Sequence, residues 1–413
     1  MVDYSKELQR ARDELLHRLT SYGSLSSGSI GTLTEVVHAY SEGRASLAVL
    51  YFYLAEQFDI GKEELLGLVK DLVEIRNRSS EGDNKVVVFR PLSGRPKVSV
   101  IITTYNRKEF LNQAIQSILV QDYPNKEITV IDDCSTDGTD AYMQSTFGDD
   151  PRVIYMRNGR NNGPGNNRRA AFAAHGDGEY ILFLDDDDYL IDRSYLSRAV
   201  EFHLLHPGLS FVAANVFLEN TKTGQLTVAS LGLPEIVGKQ EYFMNFEKKG
   251  YPKPASTLTT LFKRKVLLKM DILHMKMVND ASIYLRSLLI GDPGFMDVIA
   301  GVYRIHGNNI TFNLSQGFLI ENLEEKLLIR NMAIEQYGYS KREMNQWFNH
   351  TAYDTISYYL VNSAKSPGDF AAMYHWTRSH CPNIYDRIKR DFRVKFMKKQ
   401  ILSVPLFRTL LRR

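Results

Sequence analysis

The 413-residue sequence has only two cysteines, Cys134 and Cys381. Two thiols cannot build a disulfide framework, and no cysteine–histidine spacing suits structural zinc. A reducing compartment is the default for such a chain. No run of eighteen apolar residues occurs, so a transmembrane helix is not expected. The stretch from Met1 to Arg10 is charged and lacks the apolar core of a secretory signal. Together these absences lead to the expectation of a cytoplasmic protein. The phosphate-binding pattern GxxxxGK followed by Ser or Thr is also missing, which disfavours a P-loop enzyme. Internal repeats and low-complexity tracts are absent as well.

What is present reads as a soluble globular chain: 44% apolar and 24% charged residues. Its length suggests two or three domains. The net charge of +3 is uneven. From Asp386 to Arg413 there are ten Lys/Arg against two Asp/Glu, so the remainder is slightly acidic. A basic tail suits an anionic partner, for which membrane surface and nucleic acid compete.

Hydrophobic periodicity divides the chain in three. Residues 1–78 read as helical, through RDELLHRL, AVLYFYLAEQF and EELLGLVKDLVEI, with SYGSLSSGSIG as a loop. The polar RNRSSEGDNK ends this region as a loop, residues 79–95 read as a linker, and PLSGRP marks the entry into the next region. Residues 96–312 alternate strands and helices. KVSVIITT, EITVIDD, RVIYMR, EYILFLDDDD and LSFVAANVFL are β-branched or apolar runs suited to strands. Phe110, Ala114 and Ile118, with Leu111, Ile115 and Leu119, give a helix with one apolar face. PGNNRRAAFAAH reads as a helix start. This alternation predicts a mostly parallel α/β sheet, with ligands bound beyond the C-terminal strand ends. Residues 313–413 return to helix, with breaks near Pro367, Pro382 and Pro405.

Two of those strand ends carry carboxylates. LDDDD places four side by side, and adjacent carboxylates are stable only when solvated or neutralised by a cation. Magnesium or manganese bridged to a diphosphate would neutralise them, because these ions take one or two carboxylates plus phosphate oxygens. A solvated turn with a helix N-cap is the plainer alternative, and the segment alone does not choose. In VIDDCSTDGT a carboxylate can accept from a base imide N–H or a ribose hydroxyl; alternatively Asp and Ser cap the next helix. Two such ends in one sheet, roughly fifty residues apart, favour function over coincidence.

TTYNR, VIDDCSTDGT, NNGPGNNRR, EYILFLDDDD and the later Asn279-Asp280 pair, in that order, resemble glycosyltransferase family 2. The resemblance covers roughly Pro96 to Thr311. It implies the GT-A fold, a Rossmann-like catalytic domain, here flanked by helical N- and C-terminal regions. It also implies inversion at the anomeric centre. Thr103, Thr104 and Tyr105 would line the nucleotide pocket, with Arg107 beside them. Asp133 would read the uracil, with Asp132 next to it. Arg168 falls where the family usually has Arg, and Arg169 where it usually has Asn, so either arginine is a candidate for the diphosphate. Asp185 and Asp187 match the ends of the D-x-D metal motif: Asp187 is assigned to the metal and Asp185 to ribose or sugar. Asp186 fills the variable position, and Asp188 matches a common extra acid. Asp280 would be the general base that takes the acceptor hydroxyl's proton; a helix N-cap is its plainer role. His306, in a segment resembling the family's Y-R-x-H loop, would join the metal or touch the diphosphate, and a mixed N/O site suits manganese. Arg304 would bind acceptor or phosphate.

The resemblance therefore implies a metal-dependent hexosyl-type transferase using Mn2+ or Mg2+. Its donor would be a UDP-sugar, and its acceptor a glycan or lipid-linked glycan of surface polysaccharide synthesis. Nucleic acid is not an expected partner, and self-association stays open. KPASTLTTLFKR is expected on the acceptor side by position. The tail mixes Ile388, Phe392, Phe396 and further apolar residues to Leu411 with its cations. It suits an interfacial helix on anionic lipid, at the inner face of the cell membrane, or equally a packed helix with a solvated basic face. Two rivals to the transferase stay in view. A sugar nucleotidyltransferase would want a glycine-rich loop after the first strand, and TTYNRKEF has no glycine. A non-catalytic nucleotide-sugar or glycan-binding module would bind donor without releasing UDP.

Overall fold

The computed structural model describes residues 4–21, 26–58, 61–81, 95–307 and 315–403. Packing divides the chain into two compact units. One holds Met1–Lys239, Pro252–His274 and Ile290–His306; the other holds Gln240–Tyr251, Met275–Leu289 and Gly307–Arg413.

The first unit opens with four helices: α1 (Tyr4–Ser21), α2 (Ser27–Ser41), α3 (Leu47–Gln57) and α4 (Lys62–Glu81). The loop expected over SYGSLSSGSIG is shorter than its sequence suggests. Ser26 accepts the N–H of Ser29 as an N-cap, so helix already begins at Ser27. Helix α4 likewise runs to Glu81, through the polar RNRSSE that reads as linker.

Next come β1 (Val98–Thr104), α5 (Lys108–Leu119), β2 (Lys126–Asp132), α6 (Thr139–Phe147), β3 (Val153–Arg157), α7 (Pro164–His175) and β4 (Tyr180–Asp185). Strands β1–β4 pair in parallel in the order β3-β2-β1-β4, as the strand–helix alternation predicts. Helix α7 starts with Pro164 in its first turn, after Gly163 at φ +82°, a left-handed conformation that glycine adopts without steric cost.

The sheet continues through β5 (Tyr189–Leu190), α8 (Tyr195–Leu205), β6 (Leu209–Asn220), β7 (Gln225–Ala229), β8 (Thr260–Lys263), α10 (Arg264–Lys269) and β9 (Asp292–Ile305). Helix α9 (Lys239–Phe246) lies between β7 and β8 in the chain. Strand β8 enters antiparallel between β4 and β6, and β9 runs parallel to β6. In β9, Met296 pairs with Ala214 and Ile299 with Asn215, so Asp297 and Val298 form a bulge whose carboxylate accepts from Asn215. Gly301 lets β9 pass close to the 258–259 turn, where an added Cβ would meet Leu258 and the Tyr189 carbonyl and force a local shift.

Two of the hydrophobic clusters built on the sheet bear on the site. Residues of α5 and α8, among them Leu111, Ile115, Ile118, Leu196 and Ala199, pack with β1, β2 and β4. The N-terminal helices share the other core with β6 and β9. Leu33, Val36, Val49, Tyr53 and Val69 cluster with Phe217, Leu226, Ile299 and Val302. Tyr53 stacks on Phe217 at 5.7 Å.

The second unit contains α11 (Asp280–Ile290), α12 (Gln316–Tyr337), α13 (Lys341–Asn362), α14 (Pro367–His380) and α15 (Pro382–Ser403). Ser315, Ser340 and Ser366 cap α12, α13 and α14, and prolines open α14 and α15 where the sequence breaks fall. Pro405 lies outside the described residues. Two buried charge pairs tie this unit. Arg286 meets Glu325 in a two-point ion pair, and Lys326 bonds Glu247 and Thr355. Among the described residues, no helix is long and apolar enough to cross a membrane.

Candidate active site

Parallel register brings the predicted carboxylates to one edge. Thr103 aligns with Asp185, and Thr104 with Asp132, so β1, β2 and β4 end together. That edge, beyond the strand C-termini, is where an open α/β sheet binds its ligand.

Asp132 and Asp133 divide the work of their loop. Asp132 is fully buried and accepts from the Ser135 N–H, the Ser135 hydroxyl and Tyr155 Oη, with Arg157 3.6 Å away. Asp133 accepts from the N–H groups of Asn162 and Gly163 and from Asn158 Nδ2, which fixes the turn into α7. Burial pushes the Asp133 carboxyl up, but these donors hold it below the usual carboxylate range. Neither residue caps α6. Asp137 accepts from the Thr139 N–H instead, and its other oxygen takes the Lys108 N–H at the start of α5.

Two loops are stitched together by a residue that sequence reasoning passed over. Asn106 sits at φ +53°; its N–H bonds Ser135 Oγ and its Oδ1 accepts the Thr136 N–H. Cys134, at φ +67°, is another non-glycine in the left-handed region. Asn tolerates that region through short side-chain hydrogen bonds, a local signal that the Asn of TTYNR does carry.

The 185–188 turn answers the alternative readings of LDDDD. No helix follows it directly, since α8 begins only at Tyr195. Nor is it solvated: Asp186, Asp187 and Asp188 are 3%, 7% and 1% exposed. Each carboxylate has named partners. Asp185 accepts from Arg168 at 2.7 Å and faces Thr103 at 3.4 Å. Asp186 accepts from Thr104 Oγ1 at 2.8 Å, the Tyr105 N–H and Arg107. Burial pushes its carboxyl up to about 7, more than Arg107 draws it down. Asp187 is held by Arg107 at 2.6 Å and by His306 Nε2 at 2.7 Å. Asp188 accepts from the Arg304 N–H and from Ser256. Burial, then the neighbouring Asp187 and Asp185, raises its carboxyl well above the ordinary range, favouring the neutral acid.

Arg304 is committed to this turn. Its guanidinium bonds the Asp187 carbonyl, Gln113 and Glu219, and lies over the rings of Phe110 and Tyr189. It braces the turn between α5, β6 and β9, which the reading of Arg304 as a ligand-binding residue did not foresee. Arg168 is the arginine that reaches Asp185, whereas Arg169 bonds Asn166. Tyr105 stays exposed at the mouth.

Residues 99–272 match the family model described as glycosyl transferase family 2. This part of the chain belongs to glycosyltransferase family 2. The chain is 38% identical over 133 residues to a GalNAc(5)-diNAcBac-PP-undecaprenol beta-1,3-glucosyltransferase of Campylobacter jejuni, covering 32% of this chain and 41% of that relative. It is 38% identical over 97 residues to the putative colanic acid biosynthesis glycosyl transferase WcaA of Escherichia coli, covering 24% of this chain and 34% of that protein. The chain thus spans less than half the length of these relatives. A crystal structure of S. aureus TarS 1-349 in complex with UDP-GlcNAc shares the fold. Its TM-score is 0.54 at 18% identity, covering 71% of this chain and 83% of that one.

Asp187, inside the matched region, and His306, beyond it, are in contact and could share a cation. A carboxylate and an imidazole suit manganese, and a hard dication completes its shell with phosphate oxygens and water. Among the described residues no three His, Cys, Asp or Glu form a ready cation cage. The donor set therefore fits an ion shared with a bound diphosphate rather than one held by protein alone.

Asp280 belongs to the second unit, as the first residue of α11. It is not the cap there. Asn279 Oδ1 accepts the Ser282 N–H, and Ser282 Oγ accepts the Asn279 N–H in return. His203 is buried, bonds the Leu261 carbonyl and stacks on Tyr180; burial lowers its pKa to about 3, so it is neutral.

Proposed function

We propose that the protein is an inverting glycosyltransferase that moves a sugar from a UDP-type donor to a hydroxyl of a glycan or lipid-linked glycan. The observation that carries this reading is the turn of four aspartates at the end of β4, three of them buried, beside Asp132 and Asp133 at the end of β2. A sheet edge so built suits a nucleotide on the β2 side and a diphosphate on the β4 side. The UDP-GlcNAc complex of the TarS neighbour and the undecaprenol-linked acceptor in the Campylobacter relative's name support the donor and acceptor classes.

In this reading Thr103, Thr104 and Tyr105 line the nucleotide and Asp133 reads the base. Arg168 steers Asp185 towards ribose or sugar. Asp187 and His306 hold Mn2+ or Mg2+. Such an ion would stabilise charge on the departing diphosphate. Asp280 takes the proton of the acceptor hydroxyl; that oxygen forms a bond to the anomeric carbon as the bond to the diphosphate oxygen breaks. The leaving nucleoside diphosphate keeps the electron pair, and the configuration inverts. A non-catalytic binding module is the second reading. The exposed cations of α15, with exposed Val394 and Met397 among them, support contact with an anionic membrane surface.

A panel of UDP-sugars with UDP release as readout tests the proposal. Turnover of at least one donor is expected, and Asp187→Asn or Asp280→Asn should each lower it about 100-fold or more with melting behaviour unchanged. Full activity in either variant removes that residue from the mechanism, and tight donor binding with no UDP release selects the binding module.

A further inference from the structure

Asp187 already has a cationic partner. Arg107 Nη1 lies 2.6 Å from Asp187 Oδ2 and 3.0 Å from Asp186 Oδ1. The same Oδ2 takes His306 Nε2 at 2.7 Å. Asp187 Oδ2 is thus bonded from two sides. We propose that Arg107 holds the place of the divalent cation in the free protein and must leave Asp187 before that cation binds.

This inference rests on the reading of Asp187 as a metal ligand. Three features carry it further. First, adjacent buried carboxylates need a positive charge nearby whether or not an ion is present, and a guanidinium at that oxygen supplies one. A guanidinium and a dication repel each other, so the two occupants compete for Asp187. Second, the partners are unequal. Asp186 keeps Thr104 Oγ1 and the Tyr105 N–H if Arg107 departs, so its position does not depend on the arginine. Third, Arg107 has a route out. Its side chain is 26% exposed against 10% for that of Asp187. It precedes α5 as an N-cap without a side-chain cap bond, so it can swing into solvent while the helix start stays intact. Once released, its planar fork stands where an incoming diphosphate can accept it. Cation and donor would then bind as a coupled pair, and cation alone would bind weakly.

Mn2+ binding to nucleotide-free protein, read from the electron paramagnetic resonance of the free ion, tests this directly. Arg107→Met should bind Mn2+ about tenfold or more tightly than wild type, and Arg107→Lys should fall between them. Arg107→Met should also melt lower in chelator and recover on adding Mn2+. Asp187→Asn should lose the Mn2+ site. Unchanged, weaker or absent Mn2+ binding in Arg107→Met, with the site still lost in Asp187→Asn, overturns the placeholder while the metal reading stands. Mn2+ binding that survives Asp187→Asn overturns both.

Discussion

Asp132 and Asp133 are neighbours in sequence with opposite surroundings, and the difference predicts different phenotypes. Asp132 is buried behind the loop, gathering Ser135, Tyr155 and Arg157. Burial and this carboxylate together push the Tyr155 phenol up, which keeps it a donor. Asp132 therefore positions the loop that presents Asp133. Asp132→Ala strands the Ser135 N–H and Tyr155 Oη without an acceptor, at a cost of about 3 kcal/mol. Asp132→Asn keeps one acceptor oxygen. Isothermal titration with UDP should show Asp132→Ala weakening binding about tenfold or more, with Asp132→Asn recovering most of it. If Asp132→Asn were as damaging as Asp133→Asn, Asp132 would have to touch the nucleotide itself. The pair was legible because a hydrophobic run ended in two carboxylates. Which of the two turns inward was not, since that depends on Tyr155, which the pairing of β2 with β3 sets opposite Val130, with its hydroxyl in reach of Asp132.

Helix α15 illustrates what an amphipathic pattern leaves open. The sequence offers Ile388, Phe392 and Phe396 for membrane insertion, but the fold uses them. Ile388 and Phe392 are buried, and Phe396 packs on Phe370 and Tyr374 of α14. Pattern reveals that a face is apolar and not which surface covers it. The outer side keeps Lys389, Arg390, Arg393 and Lys395 exposed, with Val394 and Met397. Lipid contact would therefore be chiefly electrostatic, at about 1 kcal/mol per cation near an anionic surface. Co-sedimentation with phosphatidylserine vesicles at low salt should fall several-fold when Arg390 and Arg393 are both changed to Gln. Ile388→Ala should instead cost about 2–4 kcal/mol of stability and leave vesicle binding near wild type. Vesicle binding indifferent to the two arginines would leave α15 as a packed helix with a solvated face. Strand β9 shows the converse gap in legibility. Pro293, Gly294 and the Asp297–Val298 bulge interrupt its alternation, so a 14-residue strand beside the site went unread, although Arg304 within it and His306 just after it stood out as a motif.

Across the whole molecule, the parallel half of the sheet was readable because its strands are continuous apolar runs separated by amphipathic helices. The N-terminal helices were readable as helices only. Their destination depends on partners more than a hundred residues away, such as Phe217 for Tyr53, and no local pattern encodes such a contact. The packing makes these helices a wall of the sheet's second core, on the side of β6 and β9 that carries Arg304 and His306 at its end. That arrangement has a mechanical consequence. Tyr53 is fully buried, stacks on Phe217 and donates its hydroxyl to the Ser29 carbonyl. Tyr53→Ala should cost about 3–5 kcal/mol, and the loss should be felt by the sheet rather than by the helices alone. Hydrogen exchange offers the test. If the core is shared, amides of β6 and β9 lose protection together with those of α2 and α3. Loss confined to α1–α4 would make these helices an appended module, and the support of the Arg304–Asp187 turn would then have to come from α5 and the sheet alone.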